Sequence, residues 1–185
     1  MCVDIHLYIF RRVTHNVYPD GLMTPPTSPQ GAGPALHPLL VYDPSGRIRC
    51  DITRDVAHVR LRPGLSPTAL NEYALHPSVT HVTINIPGSA WQVKITNARG
   101  ITVRDILSEI CESMCYHVGN TEFQAFAPQI RDAALRVFQR RGGAEPGGFQ
   151  SGLRRFDFMG GNMFFVGLRK ARDGFSWDAN FASFA

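Results

Sequence analysis

The sequence predicts an α+β domain in which a mixed, mainly antiparallel sheet packs against two main helices. Three observations carry that expectation. Val82, Ile84 and Ile86 alternate with polar residues, the chain breaks at Pro87-Gly88-Ser89, and alternation resumes at Trp91, Val93 and Ile95. That is the pattern of a hairpin with one apolar face. Val103, Ile106, Leu107, Ile110 and Met114 fall on one stripe at helical spacing. From Pro128 onward, Ile130, Ala133, Ala134, Val137 and Phe138 repeat at the same period and predict a second helix with these residues inward. Composition agrees, because 185 residues with 44% hydrophobic and 18% charged suit one soluble globular domain with a modest tail.

In chain order, Val3, Ile5, Leu7 and Ile9 alternate with Asp4, His6 and Tyr8, which predicts a strand-like segment within residues 1–17. Tyr18 to Pro34 is dense in proline and glycine, a linker composition. Residues 1–35 are therefore read as a strand-like segment and Pro/Gly-rich linker, and 36–185 as a single α+β domain. Leu-His-Pro occurs twice, at Leu36-His37-Pro38 and Leu75-His76-Pro77. Proline disfavours helix in the residue before it, so each copy predicts an extended corner leading into a hairpin-like unit. His37 and His76 are expected to cap those corners through backbone hydrogen bonds.

Asp43-Pro44-Ser45-Gly46 is a turn by composition, and Ile48, Cys50 and Ile52 alternate as a half-buried strand. Ser66-Pro67 opens a short helix, with Ser as cap and Pro in the first helical position. Thr102 and Asp105 form a variant capping box for the first main helix. Arg140-Arg141-Gly142 predicts the end of the second, followed by a loop from Gly142 to Gly152. Phe156 and Phe158 flank Asp157 in a strand pattern, with Gly160-Gly161-Asn162 turning the chain into a return strand from Phe164 to Leu168. Asp157 is expected to face solvent beside Arg154 or Arg155, and Trp177 lies in a final short segment.

Charge and motifs exclude more than they assign. The net charge of +4 is spread along the chain and comes almost wholly from arginine, since Lys94 and Lys170 are the only lysines. A nucleic-acid binder concentrates its charge. Trp91, Phe156, Phe158, Phe164 and Phe165 could stack on bases, but their spacing favours core burial. The apolar N-terminal run is followed, rather than preceded, by Arg11-Arg12, which is backwards for a secretory signal. No stretch approaches a membrane span, so an intracellular protein with buried free thiols is expected.

His37, His76, His81, Cys50 and Asp51 lack metal-ligand spacing, and Cys111 lies beside the apolar stripe, where a buried thiol fits better than a ligand shared with Cys115 and His117. The glycine pairs match no phosphate-binding fingerprint, and no Gly-x-Ser-x-Gly elbow is present. No catalytic residue, metal or cofactor is assigned. Ligand-contact candidates are His37, Asp51, His76, Trp91, Asp157 and Trp177. In the tail, Thr24-Pro25 and Ser28-Pro29 stand four residues apart in a phosphodegron-like pattern, making Thr24 and Ser28 phosphorylation candidates against the favoured reading of a plain Pro-rich linker.

One succession of motifs is more specific than its parts. Leu36-His37-Pro38-Leu39-Leu40 comes first, then a strand carrying Asp51, then His76-Pro77 before a hairpin with Trp91. Gly100-Ile101-Thr102-Val103-Arg104-Asp105-Ile106-Leu107 opens the helix, Arg155-Phe156-Asp157-Phe158-Met159-Gly160-Gly161 follows, and Trp177 closes. This order, over about residues 36–178, resembles a large family of fungal proteins known only as a domain of unknown function. The chain departs from that pattern at Arg49-Cys50-Asp51, where the family has a Trp before the Asp. The resemblance implies a compact α+β domain of fungal origin and brings no activity or site residues. The resulting functional reading is a non-enzymatic module with a protein partner. The alternative is a small-ligand-binding protein or an enzyme, such as a hydrolase, with a pocket near the two His-Pro corners.

Overall fold

The alternating runs on either side of Pro87 become the hairpin that starts the sheet. In the computed structural model, which describes residues 33–144 and 152–183, β5 (His81–Asn85) and β6 (Gln92–Thr96) pair antiparallel from His81↔Thr96 to Asn85↔Gln92. Val82, Ile84, Val93 and Ile95 point inward and are buried, as a period of two requires.

Against the free edge of β5 lies β8 (Trp177–Ala182), paired in parallel at Ile84↔Trp177 and Asn85↔Asp178. Antiparallel to β8 runs β7 (Phe164–Lys170). The sheet continues through β2 (Ile48–Asp51) to β3 (Arg60–Leu61), giving the order β3-β2-β7-β8-β5-β6. The fold is therefore α+β, with a mostly antiparallel sheet. Gly167 marks an irregularity in the β7–β8 register with φ of 134°. The apolar run before the first turn docks there, with Tyr42 N–H donating to Leu168 O at 3.1 Å and Leu168 N–H to Leu40 O at 2.6 Å.

The two Leu-His-Pro copies pair with each other. β1 (Ala35–Leu36) and β4 (Leu75–His76) form a separate two-stranded ladder, with Leu36 opposite Leu75. His37 then caps its own corner. Its Nδ1 accepts from Leu39 N–H at 3.2 Å, and its Nε2 lies 3.0 Å from the Glu72 carboxylate. The Asp43 turn forms as its composition requires, with Ser45 N–H donating to the Asp43 carboxylate and Gly46 at a φ of 68°. Ser66 caps a 3₁₀ turn over Pro67–Asn71.

The capping box sets the start of α1 (Val103–Met114), where Thr102 Oγ1 accepts from Asp105 N–H and the Asp105 carboxylate accepts from Thr102 N–H. Its stripe, Val103, Ile106, Leu107, Ile110 and Met114, is buried in a core shared with β2, β5, β6 and β7. Partial burial pushes the Asp105 carboxyl up. The hydrogen bonds from Thr102 N–H and Asn97 outweigh it and hold the carboxyl below its ordinary value. A depressed folded-state pKa gives stability that is full above the unfolded value and is lost as pH falls through the folded one. Asp105→Asn is therefore expected to cost about 1 kcal/mol near neutrality. The difference from wild type should shrink when urea unfolding is repeated near pH ~3. A pH-independent difference would show that charge is not what the cap uses.

Three expectations need correction. α3 (Pro128–Ala144) does not stop at Gly142 but runs through Gly142 and Gly143, because Arg141 is drawn inward to an ion pair instead of facing solvent at a helix end. Ile130, expected inward, is 39% exposed, whereas Ala134 is fully buried. The segment read as a Phe-Asp-Phe strand is a 3₁₀ turn over Arg155–Met159. A five-residue helix, α2 (Asn120–Gln124), also lies between the two long ones. The N-terminal strand-like segment, Cys2, Thr24, Ser28 and most of the predicted 142–152 loop lie outside the described residues. Among the described residues, no helix is long and apolar enough to cross a membrane.

Candidate functional site

Trp91 enters at the start of β6, and the 3₁₀ turn places Phe158 against it at 5.5 Å between ring centroids, nearly perpendicular. Phe126, just after α2, meets Trp91 at 5.3 Å and Phe158 at 4.6 Å. Phe123 touches Phe158 from α2 at 6.2 Å. Such ring contacts add about 0.5–1.5 kcal/mol each beyond area burial, so the cluster is a rigid platform. The platform floors two adjoining cavities of about 350 and 540 Å³ that share Gly88, Ser89, Trp91 and Phe126. Ile130, Met159 and Phe181 extend one end, and Ala125 and Glu122 the other.

Trp91, Glu122 and Arg155 are linked to one another beside this groove. The Trp91 indole N–H donates to Glu122. Arg155 lies over the Trp91 ring at 5.1 Å, reaches the Glu122 carboxylate at 3.3 Å and donates to Ser113 Oγ at 3.1 Å. Arg155 is thus a brace joining α1, α2 and the Trp91 end of β6, and both it and the Trp91 indole meet Glu122 at Oε1.

Asp157 lies on the same turn as Phe158 but faces elsewhere. Contrary to the expected exposure, it is fully buried. Arg141 clamps both its oxygens, Nε to Oδ1 at 3.2 Å and a terminal nitrogen to Oδ2 at 2.9 Å, while Arg154 N–H donates to Oδ2 at 2.8 Å. The expected partner was Arg154 or Arg155. The guanidinium that pairs is that of Arg141, because α3 passes directly behind the turn, and Arg154 contributes its backbone amide.

The remaining candidates are dispersed. His37 and His76 meet only through the β1–β4 ladder, where His76 is exposed, and neither lines the aromatic groove. Trp177 is buried inside the sheet, with Lys170 4.4 Å above its ring. Asp51 opens on a separate cavity of about 550 Å³ beneath β2 and β3.

Among the described residues there is no group of three or more His, Cys, Asp or Glu side chains that could hold a metal ion. Cys50, Cys111 and Cys115 are free thiols. Cys50 Sγ and Cys111 Sγ lie 3.4 Å apart in the core. The hydrogen bond to Cys111 raises the Cys50 thiol, and burial adds to that, so it keeps its proton.

Sequence reasoning missed Glu122, Phe126 and Arg155. The Phe123-x-x-Phe126 spacing was the one local signal, while the Glu122–Arg155 brace joins positions too far apart to be read from spacing.

Residues 48–174 match the model of DUF6699, a family of unknown function. No curated protein and no solved structure matches the chain.

Proposed function

Because the chain belongs to DUF6699, a family of unknown function, its activity must be read from its own geometry, and we propose a non-enzymatic protein-interaction module that docks a partner at the aromatic groove. The observation that carries this reading is the groove itself. It spans two adjoining cavities, is floored by Trp91, Phe126 and Phe158, and is flanked by a carboxylate whose Oε1 already accepts from Trp91 and Arg155. An enzyme pocket needs convergent polar groups free to act. A peptide groove needs apolar floor and room for successive anchors. The occupant is a segment of a partner protein carrying aromatic or branched apolar anchors, and the exposed Ile130 extends the surface that it covers.

Peptide display against the folded chain tests this, with Ala125→Arg and Ile130→Glu as exposed groove-edge variants that leave the core intact. Selected peptides should carry apolar anchors, and each variant should weaken them by about tenfold or more, because each places a charge against an apolar anchor. Peptides that bind both variants as tightly as wild type would place docking elsewhere.

A further inference from the structure

The core holds a pair of thiols that the aromatic groove does not use. Cys50 comes from β2 and Cys111 from the last turn of α1, and their sulfurs lie 3.4 Å apart. A disulfide brings two sulfurs to about 2.0 Å, so the approach still to be made is little more than an ångström. Cys111 is the member of the pair that a solute can reach. It lines a cavity of about 350 Å³ together with Cys115, whereas Cys50 forms no part of that wall. Thr53, Asp55 and Glu112 at the cavity are exposed, so it opens to solvent.

The two thiols divide the roles of nucleophile and proton donor. The hydrogen bond from Cys50 lowers the Cys111 thiol and outweighs burial and the Asp51 and Asp55 carboxylates, which push it up. Cys50 keeps its proton. Burial pushes the Cys115 thiol up. Because the thiolate is the nucleophile, the reactive sulfur of the pair stands at the cavity wall.

We propose that Cys111 and Cys50 form a peroxide-reactive dithiol, in which a hydroperoxide entering this cavity oxidises Cys111 and Cys50 then closes a disulfide between α1 and β2. The Cys111 thiolate attacks a peroxide oxygen. The S–O bond forms, the O–O bond breaks, and hydroxide or alkoxide leaves. The Cys50 sulfur next attacks the sulfenic acid. The S–S bond forms, the S–O bond breaks, and the departing hydroxyl takes the Cys50 proton as water. With the proton that Cys111 lost on ionising, two thiols are oxidised and hydrogen peroxide is reduced to two waters. The bond ties together positions 61 residues apart. Neither cysteine lines the aromatic groove, so the dithiol and the docking groove succeed or fail separately.

The test exposes the reduced full chain to hydrogen peroxide, alkylates it in urea with iodoacetamide and maps the thiols by mass spectrometry. Cleavage after arginine and glutamate separates Cys111 from Cys115, because Glu112 lies between them. The expected product is a peptide pair joining Cys50 to Cys111, with both thiols lost to alkylation and both restored by dithiothreitol. Cys115→Ser should form the same product. In Cys50→Ala the sulfenic acid lacks its partner, and dimedone should label Cys111. The mapping in the wild-type chain needs no substitution, so a poorly folded variant leaves the test intact. The proposal is overturned if Cys50 and Cys111 both stay alkylatable after peroxide, whatever happens at Cys2 or Cys115. It is equally overturned if Cys111 is joined to Cys115 in place of Cys50.

Discussion

Replacing Asp157 with alanine is expected to cost about 3–5 kcal/mol, the loss seen when one partner of a buried ion pair is removed. The carboxylate is fully buried, and the Arg141 side chain is 13% exposed, so the deletion takes the counter-charge from a guanidinium held largely away from water, which keeps its bond to Gly152 O at 3.0 Å. The Arg154 amide loses its acceptor as well. For a chain of this size the loss corresponds to a fall in Tm on the order of 10 °C. Thermal and urea unfolding would register it. Adding Arg141→Ala to Asp157→Ala should cost less than the two single effects added together, because the second change removes the charge that has lost its carboxylate. A loss below about 1 kcal/mol for Asp157→Ala would mean that water replaces the carboxylate freely, contrary to its burial.

Gly167→Ala is the second large effect. At a φ of 134° the backbone suits glycine, and a Cβ built there would lie 2.5 Å from Tyr42 Cα and 2.6 Å from Tyr42 N. Both obstacles are main chain, so no side-chain rotation relieves them. Strained backbone and overpacking each cost about 1–3 kcal/mol, and a combined loss of roughly 3 kcal/mol or more is expected. The residues before the Asp43 turn should lose contact with β7, which amide exchange at Tyr42 and Leu168 would report. An alanine variant with the wild-type urea midpoint and unchanged exchange would contradict the close approach.

Local physics made much of this fold legible. The β5–β6 hairpin, the Thr102–Asp105 capping box and the α1 stripe each depend on residues within one turn or one pair of strands. The Phe156-Asp157-Phe158 segment shows where that reasoning ends. Alternation of two aromatics about an acid suits a strand, yet the Asp157 carboxylate caps the amide of Arg154 and so winds the segment into a 3₁₀ turn. The pull that buries Asp157 comes from Arg141 on another helix, and no periodicity reports it. Likewise, the Leu-His-Pro repeat signalled two extended corners but not that they pair with each other.

The candidate site was legible in one residue of three. Trp91 stood out as a large aromatic on a strand, but its partners Phe126 and Phe158 converge only after α2 and the 3₁₀ turn fold toward it. Asp51 drew notice for its own charge, whereas Arg60, which lines the same cavity, reaches it through the β2–β3 register. Arg49 and Asp51 share a face by simple alternation, the one part of that cavity open to a reading along the chain.

The order of strands also dictates an order of events. β2–β3 and β5–β6 are each local hairpin-like pairs, but they join into one sheet only through β7 and β8. β8 meets β5 by parallel pairing of Trp177 with Ile84, a contact between distant parts of the chain. Contacts of such long sequence separation must meet a large loop-closure entropy before they gain anything, which slows folding. During synthesis the two hairpins and α1 emerge early, with Ile84 at an unpaired strand edge until Trp177 arrives. The strand that completes the sheet's centre follows every other strand of the domain in the chain, so the β5 edge at Ile84 stays unpaired while β6, the helices and β7 are synthesised.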